Sequence, residues 1–166
     1  MARKMAREGR YSINFVLSKA RTDVVKRESS EKIDGINVFL NSDRYATFKQ
    51  SGTKCVCCGL EGKFFGLERT LKERKNNTNR CHFNLYGVDK RGEEVLFTKD
   101  HILPKAKGGK DHISNYQTMC CVCNNLKGSD GLTIEEISFL RQTYNQNRNL
   151  PRKKLNAKMR MARLQL

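Results

Sequence analysis

Two Cys-x-x-Cys pairs, Cys55/Cys58 and Cys120/Cys123, constrain this chain more than any other feature of its sequence. Sulfurs separated by two residues can turn toward one tetrahedral ion, and two such pairs make a complete thiolate set. If they share an ion, the two ends of the region between them must meet in space. The first cluster, Thr53-Lys54-Cys55-Val56-Cys57-Cys58-Gly59, leaves an alternative in which Cys57 joins another thiol. The two-residue gap and the glycine that follows favour Cys55 and Cys58, because the turn must aim both sulfurs at one point. The seven cysteines are odd in number and sit in close pairs, and no signal-peptide pattern leads the chain. A metal site in an intracellular, cytoplasmic setting is therefore expected, not a disulfide framework.

Such a staple answers a need. Of 166 residues, 37% are hydrophobic and none is Trp, so the core should be small. Structural zinc would turn its binding free energy into folding free energy, about 10–16 kcal/mol apparent in zinc-finger peptides. No apolar run approaches the roughly 18 residues that cross a bilayer, so no membrane partner is expected. The net charge of +16 comes from 33 Lys and Arg against 17 Asp and Glu. It gathers at the ends: residues 1–27 carry eight basic and two acidic side chains, and residues 151–166 carry six basic and none acidic. Basic ends around a less charged middle are the electrostatic footprint of a nucleic-acid binder. A merely basic protein, or one that binds acidic membranes, is the plainer alternative.

Along the chain, Ile13, Val16, Leu17, Ala20 and Val24 recur at helical spacing and predict an amphipathic helix within residues 1–27. Residues 28–35 read as a linker or turn. Ser42 can cap a helix from Asp43 to Gln50, ended by Gly52. Residues 60–80 are polar and basic, the composition of an exposed loop. Residues 81–87 and 94–98 read as strands around a turn at Asp89–Gly92. Asn115–Met119 is a further short strand, and Cys123 should open a helix carrying Asn124 and Lys127. Thr133 with Glu136 is a capping-box pattern that starts a helix reaching about Asn147. After Pro151, the basic tail again has helical spacing.

The chemistry-bearing residues fall together. Asp100 and His101 end a predicted strand, where polar groups can face a substrate while the backbone holds them. Phosphodiester hydrolysis needs an activated water and a cation to neutralise charge on the phosphate and the departing oxygen. A neutral imidazole can take the water's proton. One carboxylate and one amide oxygen can hold a hard ion such as Mg²⁺. Asp100, His101 and Asn124 supply those roles. The order Cys55-x-x-Cys58, Asp100-His101-Ile102-x-Pro104, Gly108-Gly109, Asn115, Cys120-x-x-Cys123-Asn124, Lys127-Gly128 resembles the HNH (ββα-metal) endonucleases of phage and mobile-element type over residues 53–129.

The resemblance implies an α+β fold: a small zinc-stapled ββα-metal core at 51–131, a basic helical N-terminal extension at 1–50, and a C-terminal helix with basic tail at 132–166. It implies His101 as general base, and Asp100 and Asn124 as ligands of a catalytic Mg²⁺ or other divalent ion. Asn115 would brace the loop and orient the base, and Cys55, Cys58, Cys120 and Cys123 would hold structural zinc. Lys105, Lys107, Lys110 and Lys127 are the candidate contacts to nucleic acid. The implied activity is DNA cleavage by nicking or double-strand cutting, the latter favouring a homodimer, in a host cell if the protein is phage-encoded. Alternatives are a zinc-stapled binding module without turnover, or a nuclease acting on RNA or branched DNA. The insert from Gly59 to Lys99 departs from the family pattern.

Overall fold

Residues 62–70 alternate in a way their average polarity hides: Phe65 and Leu67 are fully buried, while Phe64 and Glu68 point to the other side. In the computed structural model, which describes residues 5–20, 30–71, 75 and 81–166, this stretch is a strand at the heart of a sheet. The expected loop over 60–80 is thus wrong for its first half. Its basic second half lies mostly outside the described residues. The N-terminal expectation divides similarly. Residues 13–19 are helical, started by Ser12, whose side chain accepts from the Phe15 amide. Residues 5–11 form a strand instead, because the free edge of the 62–70 strand offers a ladder of backbone groups to pair with. Val24 lies outside the described residues.

In chain order the elements are β1 (Met5–Tyr11), α1 (Ile13–Lys19), β2 (Ser30–Ile33), β3 (Ile36–Phe39) and α2 (Asp43–Ser51). Then come β4 (Gly62–Thr70), β5 (His82–Val88), β6 (Glu94–His101), β7 (Tyr116–Cys120) and α3 (Cys121–Lys127). The chain ends with α4 (Ile134–Asn147) and α5 (Arg152–Arg163). One antiparallel sheet runs β1-β4-β5-β6-β7, and β2 and β3 form a separate hairpin. The 28–35 stretch therefore contains a strand and a tight turn. Asp34 and Gly35 both have positive φ, 50° and 78°, which suits the mirror-image turn that matches strand twist. The α2 span with its Ser42 and Gly52 caps, the Asp89–Gly92 turn, and the Thr133/Glu136 capping box agree with expectation.

The sheet forks. β6 pairs with β5 only through Leu96, and with β7 from Phe97 onward. Beyond that point, the inner edge of β5 would leave buried backbone groups without a partner. Tyr45 of α2, fully buried, fills the gap: its hydroxyl accepts from the Phe83 amide at 3.1 Å and faces the Phe83 carbonyl at 3.5 Å. Around it Phe48, Phe65, Phe83, Leu85, Phe97 and Met119 close one core between the sheet and α2. On the opposite face, buried Glu68 accepts from Arg7 (2.9 Å), Asn84 (2.7 Å) and Tyr86 (3.0 Å), tying edge strand β1 to β4 and β5. Beyond the fork, β6, β7 and α3 form the ββα unit that carries the site, and α5 is held to it by Arg163, which donates to the Leu126 carbonyl.

Replacing Tyr45 by Phe leaves the shape of the core intact but strands the Phe83 backbone. The expected outcome is a loss of about 1–3 kcal/mol, read as a lower urea midpoint with an unchanged slope in chemical denaturation.

Candidate functional site

The Sγ atoms of Cys55, Cys58, Cys120 and Cys123 all lie within 4.8 Å of one another, with Cys58 and Cys120 separated by 3.8 Å. A tetrahedron with metal–sulfur bonds of about 2.3 Å has edges near 3.8 Å, so the donor set fits and could hold zinc. The chain folds to this point because the knuckle is laced to β7. The Val56 amide donates to the Thr118 carbonyl, the Thr118 hydroxyl to the Gly52 carbonyl, and the Cys120 amide to the Cys55 sulfur. Thiols this close cannot all ionise alone. Hydrogen bonds from Cys120, Cys123 and Cys58 hold Cys55 far below the ordinary thiol range, while its neighbours push Cys123 far above it. A divalent cation is what would let all four be thiolates together. Cys57 is outside this four-sulfur set but borders it: a hydrogen bond with Cys123 lowers its pKa, and its sulfur is 3.6 Å from the Ser138 hydroxyl.

One strand and one helix converge on the second cluster. Asp100 and His101 end β6 and Asn124 lies on α3, directly after the last sulfur. All three line a cleft of about 260 Å³ together with Lys99, Lys105 and Lys127. Asp100 is 7% exposed, and its Oδ2 accepts from Gln117 at 2.8 Å and from Lys127 at 2.6 Å. Asn124 Nδ2 donates to the Thr98 hydroxyl at 2.8 Å, which in turn donates to the Met119 carbonyl. Those bonds leave Asp100 Oδ1 and Asn124 Oδ1 without a hydrogen bond among the described residues. A carboxylate and an amide oxygen on one cleft are a donor set for a hard divalent cation.

His101 is held from two sides. Tyr116 meets its ring edge-on, with centroids 5.0 Å apart. Asp111 Oδ1 lies 2.8 Å from Nε2 and also accepts from the Tyr116 hydroxyl at 3.1 Å. Lys105, the nearest partner, and His101 together hold the Asp111 carboxyl well below the usual carboxylate range. An ionised carboxylate only accepts, so Nε2 must carry the hydrogen. In the neutral ring the lone pair is then on Nδ1.

The loop between β6 and β7 depends on Asn115. Its side chain accepts from the Leu103 amide at 2.9 Å and donates to the Leu103 and Lys110 carbonyls at 3.1 and 3.0 Å. It braces the loop by these bonds, and its backbone carbonyl accepts from Ile102 at 2.9 Å. Gly109 is the other fixed point, since a Cβ there would sit 1.8 Å from the Leu103 carbonyl oxygen.

Among the expected nucleic-acid contacts, Lys105, Lys107 and Lys110 are exposed on this loop, Lys105 being paired with Asp111. Lys127 is different. It sits in the last turn of α3, only 2% exposed, with its ammonium on Asp100 and the carbonyls of His101 and Ile102. A contact from Lys127 to the nucleic-acid backbone is therefore withdrawn: the charge is sunk into the protein to offset a buried carboxylate. Asp111, Tyr116, Gln117, Thr98 and Lys99 are the residues missed in the sequence. Asp111 alone left a trace, an acid inside the basic loop, but nothing in its spacing ties it to His101.

Residues 89–131 match the HNH endonuclease family model. No curated protein and no solved structure matches the chain. Among the described residues, no helix is long and apolar enough to cross a membrane.

Two outcomes are expected. Metal analysis should find one zinc per chain, lost in Cys120→Ala but kept in Cys57→Ser. Gly109→Ala should disorder the loop, read as loss of the distinct amide resonances of residues 102–115 while those of α4 persist.

Proposed function

We propose, on the premise that residues 89–131 form an HNH endonuclease segment, that this protein is a metal-dependent endonuclease that hydrolyses phosphodiester bonds in DNA. The observation that carries the reading is the convergence of Asp100, His101 and Asn124 on one cleft, with His101 already oriented. Asp100 and Asn124 would hold Mg²⁺ or a similar ion through their two free oxygens. That ion, when bound, supplies positive charge against the phosphate and the leaving oxygen. Zinc is assigned to the four cysteines, where soft sulfur donors suit it, and not to the oxygen pair.

His101 Nδ1 takes a proton from water as the water oxygen bonds to phosphorus. The phosphorus–O3′ bond breaks on the far side, and the departing oxygen regains a proton from solvent. Asp111 and Tyr116 keep the ring from turning, so the lone pair is presented without loss of torsional freedom during the reaction. Lys127 stabilises the buried Asp100 carboxylate and ties the backbone carbonyls of His101 and Ile102 to α3, fixing the strand end that carries the base. Exposed Lys107 and Lys110, with Lys99 and Lys105 at the cleft, supply phosphate contacts that position the strand. The surplus of positive charge in the terminal segments adds sequence-independent, salt-sensitive affinity.

Cleavage of supercoiled plasmid with Mg²⁺ tests the reading. His101→Ala should slow cleavage by about 10²–10⁴-fold, with zinc content and DNA affinity kept. Equal cleavage by this variant would remove His101 as the base. DNA binding without turnover in any divalent ion would leave a binding module in place of an enzyme. Asp111→Ala should lower kcat by at least about tenfold with little change in KM, and Asp111→Asn, which still offers an acceptor to Nε2, should lose less.

A further inference from the structure

A second cleft, of about 510 Å³, opens on the far side of the zinc knuckle, between the β5–β6 turn and α4. Its lining carries five cations, Lys63, Lys90, Arg91, Arg141 and Arg148, against two carboxylates. Arg148 is already spoken for by Asp89 and Glu93, each at 2.9 Å, and Arg91 donates to Asn149 at 2.8 Å. Arg141 is not. It is 8% exposed, yet its Nε and Nη1 are buried with no hydrogen-bond partner among the described residues. Its Cζ lies 5.7 Å from the Tyr144 ring, and its charge offsets part of the rise that burial imposes on the Cys121 thiol. Buried guanidinium donors without acceptors are costly, and a charged group more so than a neutral one.

We propose that this cleft is a phosphate-binding site built around Arg141, separate from the Asp100–His101 cleft and independent of the nuclease reading. The planar guanidinium of Arg141 has two edges with paired donors, Nε with Nη2 and Nη1 with Nη2, and each edge, holding one of the unpaired nitrogens, suits two oxygens of one phosphate. At the rim Lys90 adds charge, and so does Lys63, whose ammonium is loosely paired with Glu61 at 3.8 Å. The phosphate can belong to a nucleic-acid backbone running past the knuckle or to a free phosphate or nucleotide. The competing explanation is that Arg141 balances the negative charge of four thiolates around zinc, with no ligand of its own.

The zinc-loaded full chain is titrated with inorganic phosphate by calorimetry, beside Arg141→Gln and Asn145→Glu. Saturable binding is expected in the unaltered chain, weakened at least about tenfold in Arg141→Gln. Asn145 also lines the cleft and lies one helical turn from Arg141. A glutamate there supplies the missing acceptor internally, so this variant should lose phosphate binding while its melting temperature rises. It keeps the test decisive even if Arg141→Gln folds poorly. Duplex DNA affinity, read by anisotropy, identifies the source. A matching loss in the variants, with phosphate competing, assigns a backbone phosphate. A loss confined to inorganic phosphate assigns a free one. Absence of phosphate binding, or equal binding in all three proteins, overturns the proposal, and faster zinc release from Arg141→Gln would then identify the counterion role.

Discussion

Four sulfurs closing on one point fix the geometry of the rest of the site. Cys55 and Cys58 come from a knuckle stitched to β7 through Val56, Gly52 and Thr118, and Cys120 and Cys123 lie at the junction of β7 and α3. Clamping that junction sets the angle at which α3 leaves the strand. The next residue after the last sulfur is Asn124, so the same clamp aims an amide oxygen into the cleft. Asp100 sits opposite Gln117 across the β6–β7 ladder, and His101 opposite Tyr116. A small apolar core could not hold such an angle unaided, since the helix that must be aimed is a single short one of seven residues.

Charge inside the unit is balanced by burial as much as by proximity. The Asp100 carboxylate and the Lys127 ammonium are both nearly inaccessible, and each has further partners: Gln117 for the acid, two carbonyls for the base. A pair so satisfied resists rearrangement because removing either member leaves an uncompensated charge. The His101–Asp111–Lys105 chain is the opposite case, with Lys105 and Asp111 more than half exposed. Its contribution is direction, not stability.

The residues that meet at the site were legible in the sequence because their signals are local. The sulfur spacing, the Asp100-His101 doublet, the Asn after the last Cys, and the Ser42, Gly52, Thr133 and Glu136 capping signals each act within a few residues. What was hidden is set by distant pairing. Residues 5–11 and 62–70 are strands because each offers the other a ladder, and nothing in either segment alone announces it. Lys127 looked like a surface cation because its partner, Asp100, comes close only after β6 and α3 pack. Asp111 was hidden for a related reason, since the loop that brings it to His101 is shaped by Gly109 and Asn115 and not by its own sequence context.

The fork in the sheet gives β6 two employers. Its first residues belong to the wide platform of β1, β4 and β5, and its last ones to the ββα unit, with the handover between Leu96 and Phe97. A strand that changes neighbours midway transmits position along its backbone but little of the shear or twist imposed on either side. The platform can thus differ in width, or yield under a bound partner, while the distances around His101 stay where the sulfurs put them.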